Sequence, residues 1–471
     1  MDEQSIRRLV GKIFVIGFDG YQVHDEIRRM VEAYHVQNIV YFSRNIASAG
    51  QVRDLSGNLR RIAQDAGMTD PLTICTDQEN GIVRRLPADL LGLPGNMALG
   101  AVDREDGVRM AAMATAAALA WCDIDMDLAP VLDVNNNPRN PVIGVRSFSD
   151  DPQRVARLGS AWIEAMQQSG RLACAKHFPG HGNTQVDSHK GLPVIDASIE
   201  QLEQVEWVPF RAAIARQVAV VMTAHIAFPQ GDASGLPATL SAPILQNWLR
   251  GRLQFQGAVM TDCLEMDAIA HTVGTESGAV AALRAGADLL LVSHHAAVQR
   301  QAMEAVVQAV MDESIPLQRL KEAASRVDRL KAQQIRAGRL EKEPPAGQIR
   351  ETSRLLSRQA LTPWRLPTVL WGRREKPSRI VIVHSPQKEN IRVIDQTGPV
   401  DQLAALIHAQ WPDASQQVLT GEDGWDFAGD PQNDWIVAWV QAPLSASFYD
   451  QLNAWGRQGW KVAALVSGLP Y

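Results

Sequence analysis

The sequence predicts an α/β protein, a TIM-type (β/α)8 barrel followed by a smaller α/β sandwich domain. Three observations carry this. Short apolar, β-branched runs alternate with helical periodicity through the first part of the chain. Most of those runs are continuously apolar, as in parallel strands buried on both faces. Composition then shifts: all four cysteines (Cys75, Cys122, Cys174, Cys263) precede residue 264, and eight of the twelve tryptophans follow residue 363. Between them lies the charged, Pro/Gly-rich stretch Glu341–Gly347, typical of a linker. The expected division is a barrel over 1–340, a linker over 341–350 and a C-terminal α/β domain over 351–471.

In chain order the strand candidates are Lys12–Phe18, Asn38–Phe42, Leu72–Thr76, Asp125–Asp133, Leu172–His177, Ala219–Ala224, Gly257–Thr261 and Ala287–Ser293. Helical patterns separate them, among them Asp25–Tyr34, Val108–Ala120, Pro152–Gln168, Leu202–Arg216 and Glu276–Arg284. Eight β/α units fit a barrel, and a doubly wound open sheet is the competitor on periodicity alone. After the linker, Arg379–Ser385, Trp435–Val440 and Lys461–Ser467 read as strands, with helical patterns at Val400–Ala409 and Ser447–Arg457.

Composition narrows the function classes. Of 471 residues, 46% are hydrophobic and 21% charged, so the chain has material for a sizeable core. Lys plus Arg number 46 against 52 Asp plus Glu, a net charge of -6, which argues against a nucleic-acid binder. The cysteines form no CxxC pair, so neither a disulfide framework nor a zinc ribbon is expected. No signal-peptide core and no 18-residue apolar stretch is visible, and a cytoplasmic protein without a membrane span is expected.

In a TIM-type barrel the chemistry lies at the C-terminal ends of the strands. Five of the eight candidates end in Asp77, Asp133, Lys176 with His177, His225 and Asp262, a concentration that points to an enzyme. The densest segment is KHFPGHGNTQVDSH, Lys176–His189. Its His177 and His181 have H-x3-H spacing, which suggests a metal, but Pro179 and Gly180 break the required helix and Lys176 would repel a dication. The loop can also hydrogen-bond to itself. The preferred reading is a catalytic loop in which Asp187 polarises His189 as general acid and base.

Asp262 leaves a buried strand, a costly position for a carboxylate without partners. It reads as a nucleophile or as an N-cap of the next segment, and Glu265 as a solvated or capping residue. Asp77 followed by Arg84 and Arg85 can meet sugar hydroxyls or charged groups, with Arg84 read as solvated, and Arg146 can reach a ligand or tie down its own loop. His225 is open between a ligand contact and a satisfied core histidine.

Together these segments resemble glycoside hydrolase family 3, in its β-N-acetylglucosaminidase (β-hexosaminidase) branch. KHFPGHGNTQVDSH resembles the signature KHFPGHGxTxxDSH, and NPVIGVRSFSDD, VMTAHI and VMTDCLEMDAI stand in the family's order. The resemblance implies hydrolysis of terminal β-linked N-acetylglucosamine with retention. Asp262 matches the nucleophile and His189 the acid/base, with Asp187 as its partner. Asp77, Arg85, Arg146, Lys176 and His177 match sugar-binding positions, and His225 a pocket histidine. Two residues depart from the pattern D-x-E-G-G-R-V-x-R, with Asn80 at a glycine and Ile82 at an arginine; Asn183 stands where an aspartate is frequent. Measured against longer members, the C-terminal domain is expected to be incomplete.

The expected partner is an N-acetylglucosamine-containing oligosaccharide or a peptidoglycan-derived muropeptide, with no cofactor, no metal and the oligomeric state open. A phosphorylase using the same residues is the nearest rival, since a histidine acid/base eases the approach of phosphate. A non-catalytic sugar-binding protein is the alternative from another class, and the intact catalytic set argues against it.

Overall fold

The structure is a computed structural model describing residues 1–87, 90–184, 191–335, 344, 346–360, 379–384, 415–420, 434–441, 454–455, 457 and 461–467. The chain divides into two compact units, Met1–Leu361 and Thr362–Tyr471.

In the first unit eight parallel strands follow one another around a barrel. They are β1 Phe14–Ile16, β2 Asn38–Tyr41, β3 Thr73–Thr76, β4 Met126–Asp127, β5 Leu172–Phe178, β6 Val220–Thr223, β7 Ala258–Thr261 and β8 Leu290–Val292, in the order β7-β6-β5-β4-β3-β2-β1-β8. The ring closes where Met260 bridges Leu289 and the Thr261 amide donates to the Leu289 carbonyl (2.9 Å). All eight strand candidates lie in this ring, and every residue within the eight strands is buried. That is why the apolar runs are continuous: one face lines the barrel and the other meets the helices.

Local chemistry explains the boundaries. Asp151 caps the helix Pro152–Gln168 by accepting from the Gln153 amide, and Pro152 occupies the first turn, where its missing N–H costs nothing. That helix packs on Glu105–Trp121, and its Gly159 leaves room for the Leu132 side chain. The helix expected over Leu202–Arg216 is two, Ile199–Gln204 and Trp207–Ala215. Pro209 belongs in a first turn and cannot continue a helix from before. Strand β4 is shorter than the expected Asp125–Asp133 because Pro130 lacks a ladder donor; pairing resumes at Val131 with Lys176.

Residues Ala346–Ala360, which overlap the expected linker, form a helix within the first unit. Its Leu356 packs against Gly107, and its Ser353 hydroxyl donates to the Gly92 carbonyl. The boundary between the compact units therefore falls at Leu361/Thr362 rather than near residue 345.

The second unit contains a four-stranded parallel sheet of β9 Arg379–His384, β10 Ser415–Thr420, β11 Asp434–Gln441 and β12 Lys461–Ser467, in the order β10-β9-β11-β12. Three were expected. The additional β10, SQQVLT, lies at an edge, where a strand can be polar. The expected helix Val400–Ala409 and most of Ser447–Arg457 fall outside the described residues.

Candidate active site

The site grows from the C-terminal ends of β3, β5 and β7. After β3 the chain turns back at Asn80 (φ 67°) and Gly81 (φ 60°). A Cβ on Gly81 would stand 2.7 Å from the Gly95 Cα, so glycine is needed there. Asparagine tolerates the left-handed region better than most residues, and Asn80 is tied by Gln78 Nε2 (2.9 Å) and to Thr115 Oγ1 (3.1 Å). The Gln78 side-chain Oε1 accepts from the amides of Arg85 and Leu86 (both 2.9 Å), which folds Arg85 back toward Asp77 (4.0 Å). Asn80 therefore fits the turn that the family pattern gives to glycine. Ile82 is an exposed apolar residue beside it.

Strand β5 supplies Lys176 and His177 from adjacent positions. Adjacent strand residues normally face opposite sides, but β5 shifts register against β6 between Ala175 and Phe178. Such a bulge re-aims side chains, and both residues serve the strand's end. Lys176 Nζ donates to Asp77 Oδ1 and Glu79 Oε1, each at 2.7 Å. Arg146, in the turn Gly144–Arg146, grips Glu79 with Nε on Oε2 and Nη2 on Oε1, both 2.8 Å. Glu79 is 3% exposed and thus holds two cations in one buried network. Burial alone would raise its pKa, but the Arg146 and Lys176 charges hold it far below the usual carboxylate range.

Asp133, fully buried, anchors the loop after β5. Its Oδ2 accepts from His177 Nδ1 (2.7 Å), and its Oδ1 accepts from the amides of His177 (3.3 Å) and His181 (2.6 Å). Burial acts against its charge, yet His177 keeps its pKa below the ordinary value. His181 is buried, and desolvation takes its pKa down to about 4, so it is neutral. Asn140 Nδ2 donates to the His181 and Gly182 carbonyls (2.7 and 2.8 Å), and a Cβ on Gly182 would collide with the Val134 carbonyl. His177 and His181 thus spend their Nδ1 atoms on Asp133 and Thr184. Among the described residues no three metal-ligating side chains converge. The acid/base candidates Asp187 and His189 lie just beyond this stitched segment, outside the described residues.

Asp262 follows β7, half-buried, and its Oδ1 accepts from the Cys263 amide (2.7 Å). The next helix begins at Asp267 with Met266 at its cap, so Asp262 is not an N-cap. His225, after β6, is buried; Nε2–H donates to the Cys263 carbonyl (2.9 Å), and Nδ1 lies 2.8 Å from the Thr239 hydroxyl. Both ring nitrogens are used within the protein, and His225 steadies the backbone beside Asp262 as a satisfied core histidine.

The arrangement is a barrel mouth with a carboxylate at one strand end and a set of alternating charges at others. The glycosyl hydrolase family 3 N-terminal domain matches residues 5–330. This chain belongs to glycosyl hydrolase family 3. As a family 3 chain it is 35% identical over 304 residues to a β-hexosaminidase of Idiomarina loihiensis, covering 64% of this chain and 89% of that one. It is 33% identical over 327 residues to β-hexosaminidase A of Pseudoalteromonas piscicida, covering 65% of this chain and 55% of the relative, so it spans about half that protein. The solved family 3 β-N-acetylglucosaminidase of Paenibacillus sp. FPU-7 superposes with a TM-score of 0.87 at 33% identity, over 98% of this chain and 90% of that one.

Two residues of this family 3 site were given no role from sequence. Glu79 was visible only as a second carboxylate two positions after Asp77, and Asp133 only as an acid at a strand end. The signal for Glu79 was an excess of cations, Arg85, Arg146 and Lys176, that one Asp77 could not balance. Glu265 is also not solvated: its side chain is 7% exposed and bound to the loop after β8.

Proposed function

We propose that this glycoside hydrolase is a retaining β-N-acetylglucosaminidase that removes terminal, non-reducing N-acetylglucosamine, with muropeptides as natural substrates in the cytoplasm. The observation that carries it is Asp262 at the exit of β7, in the same barrel mouth as the Asp77–Lys176–Glu79–Arg146 network. Asp77, Arg85, Arg146, Lys176 and His177 hold the sugar hydroxyls. Asp262 attacks the anomeric carbon as the glycosidic C–O bond breaks, and His189, polarised by Asp187, gives its proton to the departing oxygen. His189 then takes a proton from water, whose oxygen displaces Asp262 from the sugar. A neutral base keeps a second anion away from Asp262.

The branch likeness and the β-hexosaminidase relatives support this reading. Product analysis on an N-acetylglucosaminyl-anhydromuramic disaccharide, with and without phosphate, tests it. Free N-acetylglucosamine in both conditions is expected, with Asp262→Ala slower by about a thousandfold or more. An undiminished Asp262→Ala variant overturns the nucleophile, and sugar 1-phosphate formed whenever phosphate is present turns the reading to a phosphorylase.

A further inference from the structure

Beside the nucleophile the barrel mouth carries a second cluster that the reaction above does not use. Glu265, three residues after Asp262, accepts from the amides of His294 (2.6 Å) and His295 (2.9 Å) and from His295 Nδ1 (2.8 Å). The Ser293 hydroxyl lies 3.1 Å from Cys263 Sγ, tying this loop to the residue next to Asp262. Both imidazoles are nevertheless exposed, the His295 side chain at 76%. Fixing exposed side chains costs conformational entropy, yet Glu265 holds the His295 ring and Arg44 the His294 ring.

The next residues extend the cluster toward the sugar-binding set. His294 lies 5.4 Å from the Phe42 ring with 33° between planes, and the Arg44 guanidinium sits 4.4 Å over that ring. Arg85, the neighbour of Asp77, lies 5.8 Å from the same ring, so the rim is continuous with the site.

The hydrogen bonds also settle what the rim offers. Arg44 Nη1 can only donate, so His294 Nδ1 (3.3 Å) accepts and its Nε2–H remains a donor. His295 donates Nδ1–H to Glu265, which leaves its Nε2 on the side of the ring away from that carboxylate. Neither Nε2 has a hydrogen bond among the described residues. Two exposed ring nitrogens therefore stand on rings 6.4 Å apart, beside an aromatic ring. Arg44 is matched by Asp19 at 2.6 Å, and Glu265 is engaged by three N–H groups, so both charges are met within the protein.

From this we infer that Phe42, Arg44, His294 and His295 form the subsite for the aglycone, and that its occupant is a saccharide ring carrying hydroxyl and acetamido groups. The inference rests on the glycosidase reading above. It is tested with the full chain and its His294→Ala, His295→Ala and doubly substituted variants, on two substrates. N,N′-diacetylchitobiose has an aglycone ring; β-N-acetylglucosaminyl fluoride has none. The double variant should lose about tenfold in kcat/KM on the disaccharide, the effect of one or two lost hydrogen bonds, and stay within about twofold on the fluoride. Equal losses on both substrates, or no loss on either, overturn the subsite. A parent protein that cleaves neither substrate takes down the glycosidase reading as well, whereas one that cleaves both while its variants treat them alike takes down the subsite alone.

Discussion

At the residue scale, the centre of the charged network is Glu79 rather than any of the positions proposed to bind sugar around it. It neutralises Arg146 and Lys176 and fixes where their remaining donors point, acting as a positioning residue. Removing one member of a buried ion network leaves the others uncompensated and typically costs about 3–5 kcal/mol. Glu79→Gln should destabilise the barrel by that order in denaturant unfolding and reduce kcat/KM more than a hundredfold. The pH dependence has a definite sign. Burial works against the Glu79 charge, but its two cations depress the folded pKa below the unfolded value of about 4.5. Its stabilisation is therefore full above the ordinary carboxylate range and is lost as pH falls toward the folded pKa. Stability curves recorded from pH 7 to pH 3 should converge for the parent and Glu79→Gln; parallel curves would show that Glu79 is not charged in the fold.

At the element scale, the strand ends position the chemistry and the loops complete it. The β5 bulge lets consecutive residues Lys176 and His177 reach the site together, and Asp133 with Asn140 holds the segment that leads toward Asp187 and His189. Gly182 lets that segment press against the Val134 carbonyl. Gly182→Ala should displace the loop without opening the barrel core. We expect kcat/KM to fall by tenfold or more while the melting temperature moves by only a few degrees, of the order of a 1 kcal/mol change. Full activity in this variant would mean that the loop adjusts freely.

Much of this scale was legible in sequence. All eight barrel strands could be read because burial on both faces leaves continuous apolar runs, and Asp77, Lys176, His177 and Asp262 were legible as polar residues that interrupt those runs at their ends. The bulge was not legible, because register against β6 depends on the neighbouring strand. Nor was β10: an edge strand has no need of the apolar pattern by which strands are recognised. His225 could not be decided in sequence because its two partners, Thr239 and the Cys263 carbonyl, are 14 and 38 residues away.

At the scale of the whole molecule, the helix Ala346–Ala360 belongs with the barrel unit. Its Leu356 and Ile349 are buried, and Leu356 meets Gly107. A chain ending at residue 340 would expose this apolar surface, whereas one ending at residue 361 keeps it covered. With about 1.5–3 kcal/mol for each large buried side chain, the shorter chain should be less stable by a few kcal/mol. Comparison of their denaturation midpoints checks this; equal midpoints would show that the helix adds nothing to the barrel.

The sequence by itself determined the eight strands, the family resemblance and the residue types at the strand ends, because these rest on local periodicity and on short runs of consecutive residues. Only the tertiary structure decided which charges meet. The pairings of Glu79 with Arg146 and Lys176, Asp133 with His177, and Glu265 with His295 span 67, 97, 44 and 30 residues. No local pattern specifies contacts at such separations; they arise when barrel closure brings separate strand ends to one mouth.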